Sequence, residues 1–154
     1  MSHVEMCYRQ VHRRFSGPMA EIRSFDPHYT YVHLRGDDRS STVEATSEFW
    51  PDVMSGKRKF DGRMLMAFRM SEDMAYWEMH PAGEELIYLT VGAMKVVLDE
   101  TDGERSCSVS AGEAYLIPQG VWHRFVIGEA VELIAITAGE GTQHRAYHAT
   151  GEDQ

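Results

Sequence analysis

Residues 77–92 read WEMHPAGEELIYLTVG, and the placement of this stretch decides the fold. It sets three carboxylates (Glu78, Glu84, Glu85), one imidazole (His80) and a closing glycine (Gly92) on segments that otherwise alternate like half-buried β-strands. Along MAYWEMH (74–80), alternation puts Met74, Tyr76, Glu78 and His80 on one side and Ala75, Trp77 and Met79 on the other. Neither side is simply polar. Trp77, Met79, Leu86 and Tyr88 are too apolar for a solvated outer face and call for cover by the N-terminal region, a second sheet or another subunit. The opposite side holds Glu78 and His80 among apolar neighbours, where a carboxylate is costly unless it is paired, hydrogen-bonded or bound to a metal.

Outward from this stretch, short period-2 segments separated by turn residues dominate from about residue 63 onward, an all-β pattern. RMLMAFRM (63–70) and MAYWEMH flank Ser71-Glu72-Asp73 and read as a hairpin. LIYLTV (86–91) and AMKVVLD (93–99) lead to Thr101-Asp102-Gly103-Glu104, where Asp-Gly is a strong hairpin signal. RSCSV, AYLIP, HRFVI and VELIAITA complete the series, punctuated by Gly112, Gly120 and Gly128. The first part is less regular: YTYVHL (29–34) reads as a strand, and Phe49-Trp50-Pro51 is an aromatic anchor before a proline that restricts any helix there. The expected organisation is a barrel over residues 60–140, an N-terminal extension over 1–59 packing on it, and a C-terminal tail over 141–154.

Composition narrows the partners. The chain has 154 residues, enough for one domain with a sizeable core. Its 15 Lys plus Arg against 24 Asp plus Glu leave a net charge of −9, which disfavours nucleic acid and anionic membranes. The basic clusters Arg13-Arg14 and Lys57-Arg58-Lys59 read as solvated faces. Cys7 and Cys107 lack any partner spacing and read as free thiols of a reducing compartment. The start, MSHVEMCYRQVHRRF, has no signal-peptide core, and no run approaches the roughly 18 apolar residues of a membrane span, so a soluble cytoplasmic protein is expected.

Two spacings carry a family resemblance. Glu78, His80, Glu85 and Gly92 fall on the frame of the first motif of the cupins, in which two histidines one residue apart precede a glutamate and a glycine. Here Glu78 stands for the first histidine. Gly112, Pro118, Gly120 and His123 match the second motif throughout, while its final asparagine falls on Ile127. The chain thus resembles the cupins over about residues 62–138. The resemblance implies a double-stranded β-barrel of jelly-roll type with a divalent transition metal held by His80, Glu85 and His123, with Glu78 as the fourth candidate ligand.

Imidazole with carboxylate suits Fe²⁺, Mn²⁺, Ni²⁺ or Zn²⁺. Two ionised carboxylates would neutralise such an ion, so the site is expected to attract anions weakly. Glu78 has three open roles: ligand, orienting acceptor for His80, or general base. Tyr76 is a second catalytic candidate as a phenolic proton donor, or else a lining residue. Glu84 reads as a solvated turn residue, Arg69 and Arg124 as outer-face salt-bridging groups, and His3, His12, His28, His33, His144 and His148 as surface groups. Ile87, Leu89, Phe125 and Ile127 share the inward alternation of Glu85 and His123 and are expected to line an apolar substrate pocket. The resemblance implies a metal-dependent enzyme of dioxygenase, isomerase or lyase type acting on a small organic molecule. A non-catalytic sensor or binding module and a metal-free epimerase-like barrel are the alternatives. The apolar outer face further leads to the expectation of a homodimer.

Overall fold

The computed structural model describes residues 24–148. Among these residues, eleven strands and one short helix follow one another as β1 (Thr30–Leu34), β2 (Ser40–Glu44), α1 (Phe49–Met54), β3 (Arg63–Met70), β4 (Tyr76–Met79), β5 (Glu85–Val91), β6 (Ala93–Glu100), β7 (Gly103–Ser110), β8 (Ala114–Ile117), β9 (Trp122–Ile127), β10 (Val131–Thr137) and β11 (Gln143–Ala146). They form a six-stranded sheet in the order β2-β1-β3-β10-β5-β8 and a five-stranded sheet in the order β11-β4-β9-β6-β7. Every pairing is antiparallel. The two sheets close over a core of alternating inward residues, among them Ile87, Leu89, Val96, Ile117 and Leu133, each nearly inaccessible to water. This is the all-β jelly-roll barrel that the sequence predicts. No helix among the described residues is long and apolar enough to cross a membrane.

The β6–β7 hairpin forms where its Asp-Gly signal places it, but the two-residue loop is Thr101-Asp102, one position earlier, with Gly103 already paired to Glu100. The hairpin expected between 63–70 and 74–80 does not. β3 lies in the six-stranded sheet and β4 in the five-stranded one, so the linker crosses between layers. Its polar groups bind β9 instead of closing a turn: the Met74 N–H donates to the Phe125 carbonyl (3.0 Å), and Asp73 accepts the Ile127 N–H (2.6 Å). β3 turns Met64 and Met66 into the core and pairs with β10, whereas β4 turns Glu78 toward the site and pairs with β9 and β11, so the two strands are not neighbours. Pro81 to Glu84 make the same crossing between β4 and β5. Gly92 then returns the chain to the five-stranded sheet at φ +80°, where a Cβ would lie 2.8 Å from the Ala130 carbonyl oxygen.

The single outer face inferred from Trp77, Met79, Leu86 and Tyr88 is in fact two faces, because β4 and β5 belong to different sheets. Trp77, on the five-stranded sheet, is covered by the chain itself: Tyr147 meets it edge-on at 6.1 Å, and the Arg145 and Arg124 guanidinium groups lie 5.5 and 6.0 Å from its ring. Arg124 points away from His123, as expected, but is buried, with its guanidinium 3.7 Å from the Tyr147 ring and 3.5 Å from Asp73. On the six-stranded sheet, Tyr88 and Leu116 remain exposed beside Leu86, Ile134 and Ile136.

Residues 30–60 add to the barrel in two ways. β1 and β2 extend the six-stranded sheet, while α1 leans on its inner side through an aromatic cluster. Phe49 is fully buried, edge-on to Tyr31 at 4.9 Å and stacked on Phe60 at 5.7 Å. Pro51 does not prevent this helix because it occupies the first turn, where a missing N–H breaks no helical bond. At the other end, the segment expected as a tail contains β11, paired along β4 from Gln143–Met79 to Ala146–Tyr76.

Candidate metal centre

Strand register assembles the site. Across the five-stranded sheet His144 lies opposite Glu78, and Glu78 opposite His123. Across the six-stranded sheet Glu85 lies opposite Thr137. His80 follows the end of β4 and is pinned through its carbonyl, which accepts the Gly120 N–H at 3.0 Å. The two sheets bring these residues together at one end of the barrel, where ligand atoms of Glu78, His80 and His123 lie within 4.8 Å of one another. Glu85 Oε2 is 3.1 Å from His123 Nε2 and 3.4 Å from His80 Nε2. His80, Glu85 and His123 are at most 6% exposed.

The hydrogen bonds around this cluster fix what the three central atoms can do. The Thr142 hydroxyl donates to the Gly139 carbonyl (3.0 Å), so at 2.9 Å from His80 it accepts, and His80 carries its proton on Nδ1. His123 Nδ1 faces the Val121 carbonyl at 3.3 Å, which accepts only, and this places its proton on Nδ1 as well. Both Nε2 atoms therefore present lone pairs. The Thr137 hydroxyl donates to Glu85 Oε1 (2.5 Å), leaving Oε2 free. His80 Nε2, His123 Nε2 and Glu85 Oε2 are all buried without a hydrogen-bond partner despite their closeness. Three buried acceptors facing one another repel unless a cation, either a proton or a metal ion, lies among them. Tautomers fixed through Nδ1 are also what metal-ligating histidines require.

Ionisation follows the same geometry. Burial opposes the charge of Glu85, but contact with His123 and His80 outweighs it and holds this carboxyl well below the usual carboxylate range. Burial likewise opposes a charged His123, and the Glu85 carboxylate beside it outweighs that and raises its pKa. The Tyr76 hydroxyl is raised by burial and then by Glu78 and Glu85.

Not all expected residues gather here. Tyr76 is 43% exposed and packs against the His144 ring at 5.2 Å, outside the cavity walls. Arg69 pairs with Glu132 at 2.6 Å, and Glu84 is exposed. Ile87, Leu89, Phe125 and Ile127 lie in the closed core and are not among the residues that line the cavity beside the site. His33 is not a surface group but is buried against Phe60, with Nε2 2.5 Å from the Asp61 carbonyl oxygen. His144 is the consequential change, since its Nε2 lies 3.0 Å from Glu78 Oε1. His28 bonds Asp26 and His148 is exposed. Cys107 is an exposed free thiol, whereas Cys7, His3, His12 and Arg13-Arg14 lie outside the described residues.

The cavity opens elsewhere than expected. About 640 Å³ in volume, it reaches from Glu78, His80 and Glu85 to the aromatic wall of Phe49, Trp50, Phe60 and Phe68. That volume lies in the range of small-molecule sites. The aromatic pair was legible as an anchor in the sequence, but nothing in its spacing tied it to His80.

The sequence model described as the Cupin domain matches residues 64–138. Among solved structures, the chain is similar to a cupin-2 domain containing protein from Shewanella frigidimarina, at 18% identity and a TM-score of 0.44, over 53% of this chain and 74% of that one. It is similar to Peruvianin-I, a cysteine peptidase from Thevetia peruviana latex, at 17% identity and a TM-score of 0.48, over 56% of this chain and 58% of that one. It is also similar to a mutant of Bacillus subtilis oxalate decarboxylase, at 15% identity and a TM-score of 0.47, over 55% of this chain and 24% of that one. No curated protein matches the sequence.

Proposed function

We propose that this chain, whose residues 64–138 match the Cupin domain, is a metal-dependent enzyme acting on a small organic molecule. The observation that carries this reading is the trio of buried lone pairs on His80, His123 and Glu85, which lacks any protein donor. A single divalent transition metal, Fe²⁺, Mn²⁺, Ni²⁺ or Zn²⁺, is the cation that fits two imidazoles and one or two carboxylates. Bound there, it would supply a Lewis acid beside the cavity, suited to dioxygenase, isomerase or lyase chemistry.

The protein's own contributions are positional. Thr137, Thr142 and the Val121 carbonyl hold the three donors in their required orientations. Glu78 sits at the boundary, within reach of the histidines and bonded to His144, where it serves either as fourth ligand or as the base that takes a proton from a bound substrate. Phe49, Trp50, Phe60, Met64 and Met66 give the cavity beside this edge a largely apolar wall. A metal-free barrel working by acid–base chemistry is disfavoured, because such a site has no need of three converging acceptors.

The test is elemental. Protein stripped with chelator and reloaded is expected to hold about one transition metal per chain by mass spectrometry. Substrate panels are then screened with and without O₂. Failure to take up any metal would end the metal reading. The exposed Tyr88 and Leu116 patch supports a homodimer as well, for which light scattering is expected to return twice the 17.5 kDa chain mass.

A further inference from the structure

The basic run Lys57-Arg58-Lys59 follows α1, and Arg58 and Lys59 both line the cavity that holds Glu78, His80 and Glu85. Their charges are not equally engaged. Asp52 holds Lys57 at 2.9 Å and Arg58 at 4.0 Å, and the Arg58 guanidinium also sits 5.4 Å from the Phe49 ring centroid. Lys59 has no carboxylate within ion-pair distance among the described residues. Two cations sharing Asp52 and a third left over make this rim positive in a chain whose net charge is −9.

The wall beside this rim is aromatic. Phe49 and Phe68 are packed away, whereas Trp50 keeps 39% of its surface open, edge-on to Phe49 at 5.0 Å and tilted on Phe68 at 6.2 Å. A tryptophan held by rings on two sides, with one surface free, suits a planar apolar ligand. At the metal end, Glu78 and Glu85 neutralise a divalent ion, so a ligand's negative charge gains little there. It gains more at Lys59.

We propose that the cavity takes an aromatic carboxylate, its ring against Trp50 and its carboxylate at Lys59, with the remaining edge of the ring directed at the candidate metal centre. The assignment rests on the reading of this cavity as the substrate site. Sugar phosphates fit poorly, since a polyol would leave its hydroxyls against Phe49, Phe60, Met64 and Met66. Glu140 also lines the cavity, two positions before Thr142, whose hydroxyl meets His80.

Calorimetry with benzoate, benzyl alcohol, cyclohexanecarboxylate and acetate tests this, on the full chain in both metal-loaded and metal-free forms. Benzoate is expected to bind tightest in both. Trp50→Ala should weaken benzoate by about fivefold to tenfold while leaving acetate unchanged. Lys59→Gln should remove about a tenfold preference for benzoate over benzyl alcohol, with metal content unchanged. Both residues are exposed enough for the variants to fold, which circular dichroism verifies. Equal binding of benzoate and acetate, or a benzoate preference that survives Lys59→Gln, overturns the assignment. Benzoate that binds only when metal is present and ignores both variants overturns it too, while leaving the metal reading intact. Benzoate binding that responds to both variants in protein unable to hold metal upholds the assignment and removes the metal reading alone.

Discussion

The inward faces of β5 and β9 change character along their length. On β5, Glu85 is followed by Ile87 and Leu89; on β9, His123 is followed by Phe125 and Ile127. All six are buried and share one alternation, yet the first of each strand joins the polar cluster and the others join the closed apolar core. Burial alone therefore distinguishes nothing here. What differs is the set of side chains around them: His80 and Thr137 at one end, and residues such as Val96 and Leu133 at the other. The apolar end holds the sheets together, so the other end can keep acceptors without donors.

Substitutions at the two ends should separate metal affinity from stability. The largest effect is expected from His123→Ala, which removes a central donor: metal uptake should fall from about one per chain to none by mass spectrometry. The barrel should persist by circular dichroism. Retained stoichiometric metal would show that the polar end is held together some other way.

Leu89→Ala, on the same face of the neighbouring sheet, should do the opposite. Truncating a fully buried leucine destabilises by about 2 to 5 kcal/mol, visible as a lowered denaturation midpoint with and without metal. Metal affinity of the folded fraction should hold. A parallel loss of metal affinity would mean that the two ends are mechanically coupled.

Glu78→Ala probes the boundary between site and cavity. Affinity should fall by about 10 to 100-fold, the range for removing a supporting group, or further if Glu78 ligates directly. Glu78→His supplies the imidazole of the usual motif and should retain binding. Unchanged affinity in the alanine variant would reduce Glu78 to a wall residue.

The smallest effect is a difference in pH dependence between metal-free and metal-loaded protein. In the metal-free form Glu85 titrates below its ordinary 4.5 and His123 above its ordinary 6.5. The depressed carboxyl stabilises above 4.5 and loses this as pH falls through its folded value; the raised imidazole stabilises below 6.5 and loses this as pH rises through its folded value. Metal-free stability should thus be greatest between the two ordinary values and decline on the alkaline side. A bound ion competes with the same proton, so metal-loaded protein should gain stability over that alkaline range. Thermal unfolding across about pH 5 to 8 checks it; parallel curves would mean that proton and metal do not share a site.

Much of this was legible from local pattern. Asp102-Gly103 marked a hairpin because that turn depends on residues adjacent in sequence, and His80, Glu85 and His123 were legible because their motifs have fixed spacing. His144 was not, since its role depends on β11 lying beside β4 across 66 residues of chain. The expected apolar pocket wall was misplaced for a related reason: alternation says which way Ile87 or Phe125 points, but not whether the opposite sheet closes over it.

The sequence by itself determined the all-β class, the inward alternation and the candidate donors, because each is set by residues a few positions apart. Tertiary structure alone decided that β3 and β4 lie in different sheets, that His144 holds Glu78, and that α1 with Trp50 and Lys59 completes the cavity. These depend on which distant strands pair and in what register. That choice is made by burying the most apolar surface while leaving the fewest backbone groups unpaired over the whole chain.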